Sequence, residues 1–351
     1  MATPGCAALP PFTGGSLVTE ARLDPLLALV LILAAGLYLY GVHRLHARGD
    51  RWPAGRTVLF VGPGLGSIAL VTMSGLGTYD DTLLSSHMIQ HMVLSMIAPI
   101  FLALGAPVTL ALRTLPVRRR RALVAVLHSR VARVVTFPLV AYALFVATPF
   151  ILYFTSLYRL TLEHAWLHEL VHLHFLAVGC VFFWPLLGLD PLPGRWPYPG
   201  RALLMLLSTP FHAVLGLTIM QSHDLIGGDW YPNLHLTWAD PHSDQVLAGG
   251  ILWAGGELVS VTMLAVLVAQ WMLDSDREAR RVDRRLELDR ARAAAARARA
   301  APPAGAAPPA AAAPPAARRA EEADDDVWEA PWWQTQGPVR SAGSDEREPS
   351  P

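Results

Sequence analysis

The chain has 351 residues, of which 53% are hydrophobic and only 16% charged, with a mean hydropathy of +0.35. Water-soluble domains carry about 25% charged residues, and here the apolar residues come in long runs, so a soluble globular protein is excluded and an all-α integral membrane protein is predicted. The 28 basic and 28 acidic residues cancel, which points to no nucleic-acid partner; every basic residue is arginine, so the lysine Schiff base of light-driven seven-helix pumps is also excluded.

In chain order, residues 1–24 read as an extracytoplasmic N-terminal segment. Glu20, Arg22 and Asp24 precede the first apolar run, which argues against a cleavable leader with a basic start. Seven runs follow that match the roughly 20 residues a helix needs to cross hydrocarbon, at 25–42, 57–74, 83–112, 134–154, 166–189, 202–222 and 246–273. The third is long enough to tilt or to extend past the membrane. Residues 25–273 thus form one seven-helix membrane domain. Residues 274–300 are rich in Arg, Ala, Glu and Leu and extend the last helix into the cytoplasm. Residues 301–351 begin as an Ala/Pro tract and continue into an acidic run (321–326) with Trp328, Trp332 and Trp333; composition predicts a disordered tail, with a short acidic-aromatic partner motif as the narrower alternative.

Arginine sets the expected orientation. Arg44, Arg48, Arg51 and Arg56 follow the first span; Arg113, Arg118, Arg119, Arg120, Arg121, Arg130 and Arg133 follow the third; Arg195 and Arg201 follow the fifth. The alternate loops hold Arg159 and the acidic residues Asp80, Asp81, Asp224, Asp229 and Asp240. The positive-inside rule then places the N-terminus outside and the C-terminus in the cytoplasm.

Histidines recur where apolar residues belong. His87 and His91 lie one turn apart at the start of the third span, and His164, His168 and His172 repeat that spacing at the start of the fifth. Residues four apart share a helix face, with His91 about 6 Å deeper than His87. His212 lies near the middle of the sixth span and His223 at its outer end; His235 and His242 follow in the loop. Imidazole is costly in hydrocarbon and is a common metal ligand, so a cluster at one depth marks a functional candidate. A lone intramembrane histidine ordinarily makes an interhelical hydrogen bond; two i,i+4 pairs on separate helices favour a ligand set. His174, two residues from His172, reads as a packing residue. Met88, Met92 and Met96 form a stripe beside the first pair, and Met220 lies near the outer end of the sixth span. Thioether sulfur is soft and selects Cu(I), although methionine is also an ordinary core filler. Cys6 and Cys180 supply neither a disulfide framework nor a Cys-x-x-Cys hook, and Cys180 reads as a buried apolar residue.

His168-Glu169-Leu170-Val171-His172 matches the letters of the zincin motif. It stands at the rim of a membrane span with no third ligand in sequence order, so it is set aside. No phosphate loop is present.

The run His87-Met88-Ile89-Gln90-His91-Met92 with Ala98-Pro99 and Leu104-Gly105-Ala106-Pro107 resembles the CtaG-type family of cytochrome c oxidase assembly factors. So do His168-Glu169-Leu170-Val171-His172 followed by Phe182-Phe183-Trp184-Pro185, and Asp244-Gln245-Val246-Leu247-Ala248-Gly249-Gly250 with Trp253 downstream. The resemblance covers residues 25–273. It implies a multi-pass protein of a bacterial plasma membrane that helps a haem–copper oxidase mature by assisting copper delivery, with an oxidase subunit in the same bilayer as partner. No catalytic turnover is expected.

Together these readings make His87, His91, His168 and His172 the core of an outward-facing copper site. His212, His223 and Met220 rank behind them, Met88 and Met92 are candidate soft ligands, and Asp244 and Glu257 are expected to orient imidazoles through their second nitrogen. Two alternatives stay open: an electron-transfer protein with bis-histidine haem b, and a metal or proton transporter. The inner halves of the spans carry few ionisable groups, which argues against a transport path.

Overall fold

The structure is a computed structural model that describes residues 9–192 and 196–300. Cys6, Arg195 and the tail expected to be disordered lie outside the described residues. Among those described the chain is helical, with no strand. Six helices among the described residues are long and apolar enough to cross a membrane, seven if a bent pair is counted as one span. We label the principal helices α1 (Pro25–His46), α2 (Ala54–Met73), α3 (Leu84–Thr114), α4 (Pro138–Tyr153), α5 (Leu157–Glu163), α6 (Ala165–Leu187), α7 (Tyr198–Gln221) and α8 (Pro241–Ala300).

Local chemistry sets several boundaries. Asp24 caps α1, accepting from the backbone N–H groups of Leu26 and Leu27 at 2.8 and 3.0 Å, with Pro25 in the first helical position. Leu26, Leu29, Ile32, Leu33 and Leu37 of α1 stay exposed. In water such a face demands a partner; in hydrocarbon it needs none. The fourth crossing differs from the straight helix expected over 134–154. Proline restrains the residue before it, so a short helix ends at Val135 and α4 starts afresh at Pro138. Its 16 residues span about 24 Å, short of the roughly 30 Å core. The chain then bends by 68° into α5.

α3 positions the histidines, and two prolines shape it. Pro99 has no N–H to return to the Ser95 carbonyl. The helix widens into a π turn at Val93–Ile97, and Ser95 Oγ donates back to the His91 carbonyl at 2.7 Å. Further on, Ala106 adopts a left-handed conformation (φ 48°) and Pro107 restarts the helix. Buried Asp190 caps that restart. Its carboxylate accepts from Thr109 N and Oγ1 at 2.7 and 2.6 Å and from Trp184 Nε1 at 2.8 Å.

Two apolar cores result. One joins α1, α2 and α3 around Tyr38, which stacks on Phe60 at 4.1 Å and donates its hydroxyl to the Gly105 carbonyl at 2.8 Å. The other joins α3, α4, α6, α7 and α8 around Phe145, stacked on Phe182 at 4.3 Å. Small residues let helices meet backbone to backbone. A side chain at Gly216 would meet the Gly249 carbonyl at 2.7 Å, and one at Gly179 would meet the Ser95 carbonyl at 2.1 Å. The described residues up to Arg281 form one compact unit; those from Val282 to Ala300, all helical, belong to a second.

Candidate metal centre

The crossing of α6 on α3 is in parallel register. Gly179 sits on Ser95, and the Phe175 ring sits against His91 at 4.0 Å, both pairs 84 residues apart. The same offset carries His87 to position 171, between His168 and His172. This is why an i,i+4 pair on one helix brackets a single histidine on the other. The three imidazoles each present a nitrogen within 4.8 Å of the other two, and all three residues are buried. The ring centroids of His87 and His168 are 5.5 Å apart, and those of His168 and His172 are 4.5 Å apart.

The surroundings bias these rings without satisfying them. His168 Nε2 lies 3.1 Å from Asp80 Oδ2, and the same oxygen is 3.7 Å from His172 Nε2. His87 Nε2 pairs with the Tyr153 hydroxyl at 3.1 Å. His87 Nδ1 and His172 Nε2 are buried with no hydrogen-bond partner among the described residues. Buried polar atoms without partners are uncommon and ask for an explanation. A bound cation supplies one. A metal held about 2.0–2.1 Å from each nitrogen brings its ligands to roughly 3.4–3.6 Å of one another, so small rotations of three rings close the set. Tyr158 borders the site, with its hydroxyl 2.6 Å from that of Tyr231. Burial holds the Tyr231 phenol well above its ordinary pKa, so it stays neutral.

A cleft of about 370 Å³, lined by Arg22, Asp24, Thr72, Gln90 and Glu169, reaches Asp80 and His172. Gln90 donates through Nε2 to the Val71 carbonyl at 3.1 Å and leaves Oε1 buried and unpartnered. Glu169 turns its carboxylate toward His172, 3.8 Å from Nδ1, with most of its side chain in the open. His87 supplies the third imidazole that the zincin-like letters lack in sequence order.

The remaining candidates fall elsewhere. His91, fully enclosed, packs on Phe175 and Tyr153 and lies outside the three-nitrogen group. Its Nδ1 has no partner among the described residues. His212 is held by its own helix, Nδ1 3.2 Å from the Ser208 carbonyl, with its ring 5.5 Å from Phe145. His223 is exposed at the end of α7, and Met220 packs against Gly249. Met88 and Met92 are buried in the apolar core. Asp244 is spent on Ser85, whose N–H it accepts at 3.2 Å along with the hydroxyl; Glu257 makes no hydrogen bond or ion pair among the described residues. The carboxylates that reach the imidazoles are therefore those of Asp80 and Glu169, where sequence reasoning placed Asp244 and Glu257. Asp80 and Tyr153 were the residues that reasoning missed. The available signal was an acidic pair, Asp80-Asp81, in the turn a few residues before His87. His174, expected to pack, instead reaches Thr148 Oγ1 at 3.2 Å on an exposed face. Cys180 is free and half-buried.

Comparison with known proteins matches residues 36–274 to the family described as cytochrome c oxidase caa3 assembly factor. The chain is 38% identical over 287 residues to an uncharacterized protein of Mycobacterium bovis and equally to one of Mycobacterium tuberculosis, covering 80% of this chain and 43% of each relative. A protein of Mycobacterium leprae is 37% identical over 276 residues, covering 76% of this chain and 41% of its own. The chain thus spans less than half the length of these relatives. No solved structure matches.

Proposed function

The chain belongs to the cytochrome c oxidase caa3 assembly factor family, and from that premise we propose that it carries copper for oxidase assembly on His87, His168 and His172. The observation that supports this reading is the buried trio of imidazoles from two helices, with two nitrogens that make no hydrogen bond among the described residues. Neutral imidazole suits copper. When bound, the metal is cargo, and the protein's contribution is to hold and release it. Asp80 fixes the tilt of His168 and His172, as carboxylates beyond the ligands do in metal sites. Tyr153 holds His87 from the other side. With no thiolate in the set, retention is weak, which suits transfer better than storage.

The remaining parts of the reading follow. The histidine end faces away from the cytoplasm, in line with the arginine-rich loops at the other end. The recipient is a haem–copper oxidase subunit in the same bacterial plasma membrane. The role is delivery, without turnover.

The test is metal analysis of the purified protein loaded with Cu(I). About one copper per chain is expected, lost in His87→Ala and His172→Ala and kept in His212→Ala, whose imidazole bonds its own helix. Membranes carrying His172→Ala should also show lowered oxidase activity with the protein still inserted. A Soret band with a reducible alpha peak, or wild-type copper in the His87 and His172 variants, would refute the proposal.

A further inference from the structure

Far from the histidines, at the arginine-rich ends of α1 and α3, lies a groove of about 500 Å³. Its walls are apolar, formed by Ala34, Leu37, Gly41 and Leu110, while Arg44 and Arg119 stand at its mouth. An ion pair between Arg113 and Asp50 at 3.6 Å ties the two helix ends together beside it. Neither Arg44 nor Arg119 has a carboxylate partner among the described residues. From Ala34 to Arg44 is ten residues of helix, about 15 Å. That is half of the roughly 30 Å hydrocarbon core, the depth of one leaflet. The groove therefore has an apolar part as long as one acyl layer and a cationic part at headgroup level.

We infer that this groove is a binding site for an acidic phospholipid, its phosphate between Arg44 and Arg119 and an acyl chain against Leu37, Gly41 and Leu110. Two features select this occupant. Arginine carries a planar cationic fork, which matches phosphate geometry. Basic pockets between membrane helices are the usual seats of anionic headgroups. A lipid seated here would splint α1, which otherwise buries little of its surface, to the end of α3.

The full chain, reconstituted in bilayer discs with equal phosphatidylglycerol and phosphatidylcholine and released for native mass spectrometry, supplies the test. Wild type should retain phosphatidylglycerol in preference, and inorganic phosphate should not displace it. The Arg44→Ala/Arg119→Ala variant should retain about 30-fold less, roughly fivefold for each arginine. Arg44→Lys/Arg119→Lys should recover most of that, and Ala34→Phe should lose the lipid with both arginines intact. Arg159→Ala, at the histidine end, should match wild type. Equal retention of phosphatidylcholine, unchanged retention in the double alanine variant, or displacement by inorganic phosphate would each overturn the inference. If the double alanine variant fails to fold, the lysine and Ala34→Phe variants decide it.

Discussion

Gly179→Ala should damage the histidine cluster without touching a histidine. An alanine Cβ at this position would lie 2.1 Å from the Ser95 carbonyl oxygen and 2.7 Å from Pro99 Cγ, whereas ordinary contact begins near 3.4 Å. The obstruction is backbone, so no side chain can swing away. α6 must retreat from α3 by about 1.3 Å, the difference between those two contact distances. Overpacking of this kind costs about 1–3 kcal/mol. His172 lies two turns, or about 10 Å, up the same helix, so a retreat at the crossing moves His168 and His172 away from His87. Metal ligands tolerate only about 0.2 Å of error in bond length.

Copper affinity of the purified variant should fall at least about tenfold, and its thermal midpoint in detergent should drop. Gly250→Ala is the matched control, because a Cβ there meets nothing within 4 Å. If Gly179→Ala and Gly250→Ala bind copper alike and melt alike, the α3–α6 crossing does not set the geometry of the cluster, and the positional argument built on the shared 84-residue register fails.

Two further substitutions separate the site from its scaffold. Asp80→Asn removes the charge that faces His168 and His172 and should weaken copper binding by about 10–100-fold with helix content unchanged by circular dichroism; unaltered affinity would make Asp80 a bystander. Asp190→Asn should do the reverse. It leaves buried donors of Thr109 or Trp184 facing an amide, which costs about 1–3 kcal/mol. Thermal unfolding should register that loss while copper stoichiometry holds.

The fold was legible because its signal is redundant: each span is an independent run of apolar residues. The bent fourth crossing was not, because hydropathy is blind to direction and Thr155-Ser156 is a weak break. In the site, the i,i+4 spacing of His168 and His172 named a shared face correctly. It named His87 and His91 as a pair with equal force, yet the crossing turns His87 toward the α6 histidines and seats His91 on Phe175. Which member of a pair faces its neighbour depends on helix register, and register here is set by a glycine and a proline-freed carbonyl four to eight residues beyond the histidines on α3 and seven beyond His172 on α6. Asp80 escaped notice for a related reason. It lies in a connecting segment, where carboxylates are usually solvated, and only the folded turn before α3 tucks it under the bundle's rim.

The three imidazoles differ in burial: His168 and His172 keep a little exposure, His87 almost none. His172 and Asp80 line the cleft, while the more deeply buried His87 lies against Tyr153 and Tyr158. On the copper-carrier reading, an incoming ligand from an oxidase subunit would meet His168 or His172 before His87, and Glu169 lies beside His172, where it could hold that imidazole. Exchange would then begin at the less buried imidazoles, with His87 the last to let go. Such a site would not have to expose a bare ion in the membrane, and an asymmetry of this kind would suit a donor better than the closed ligand sets of structural metal sites.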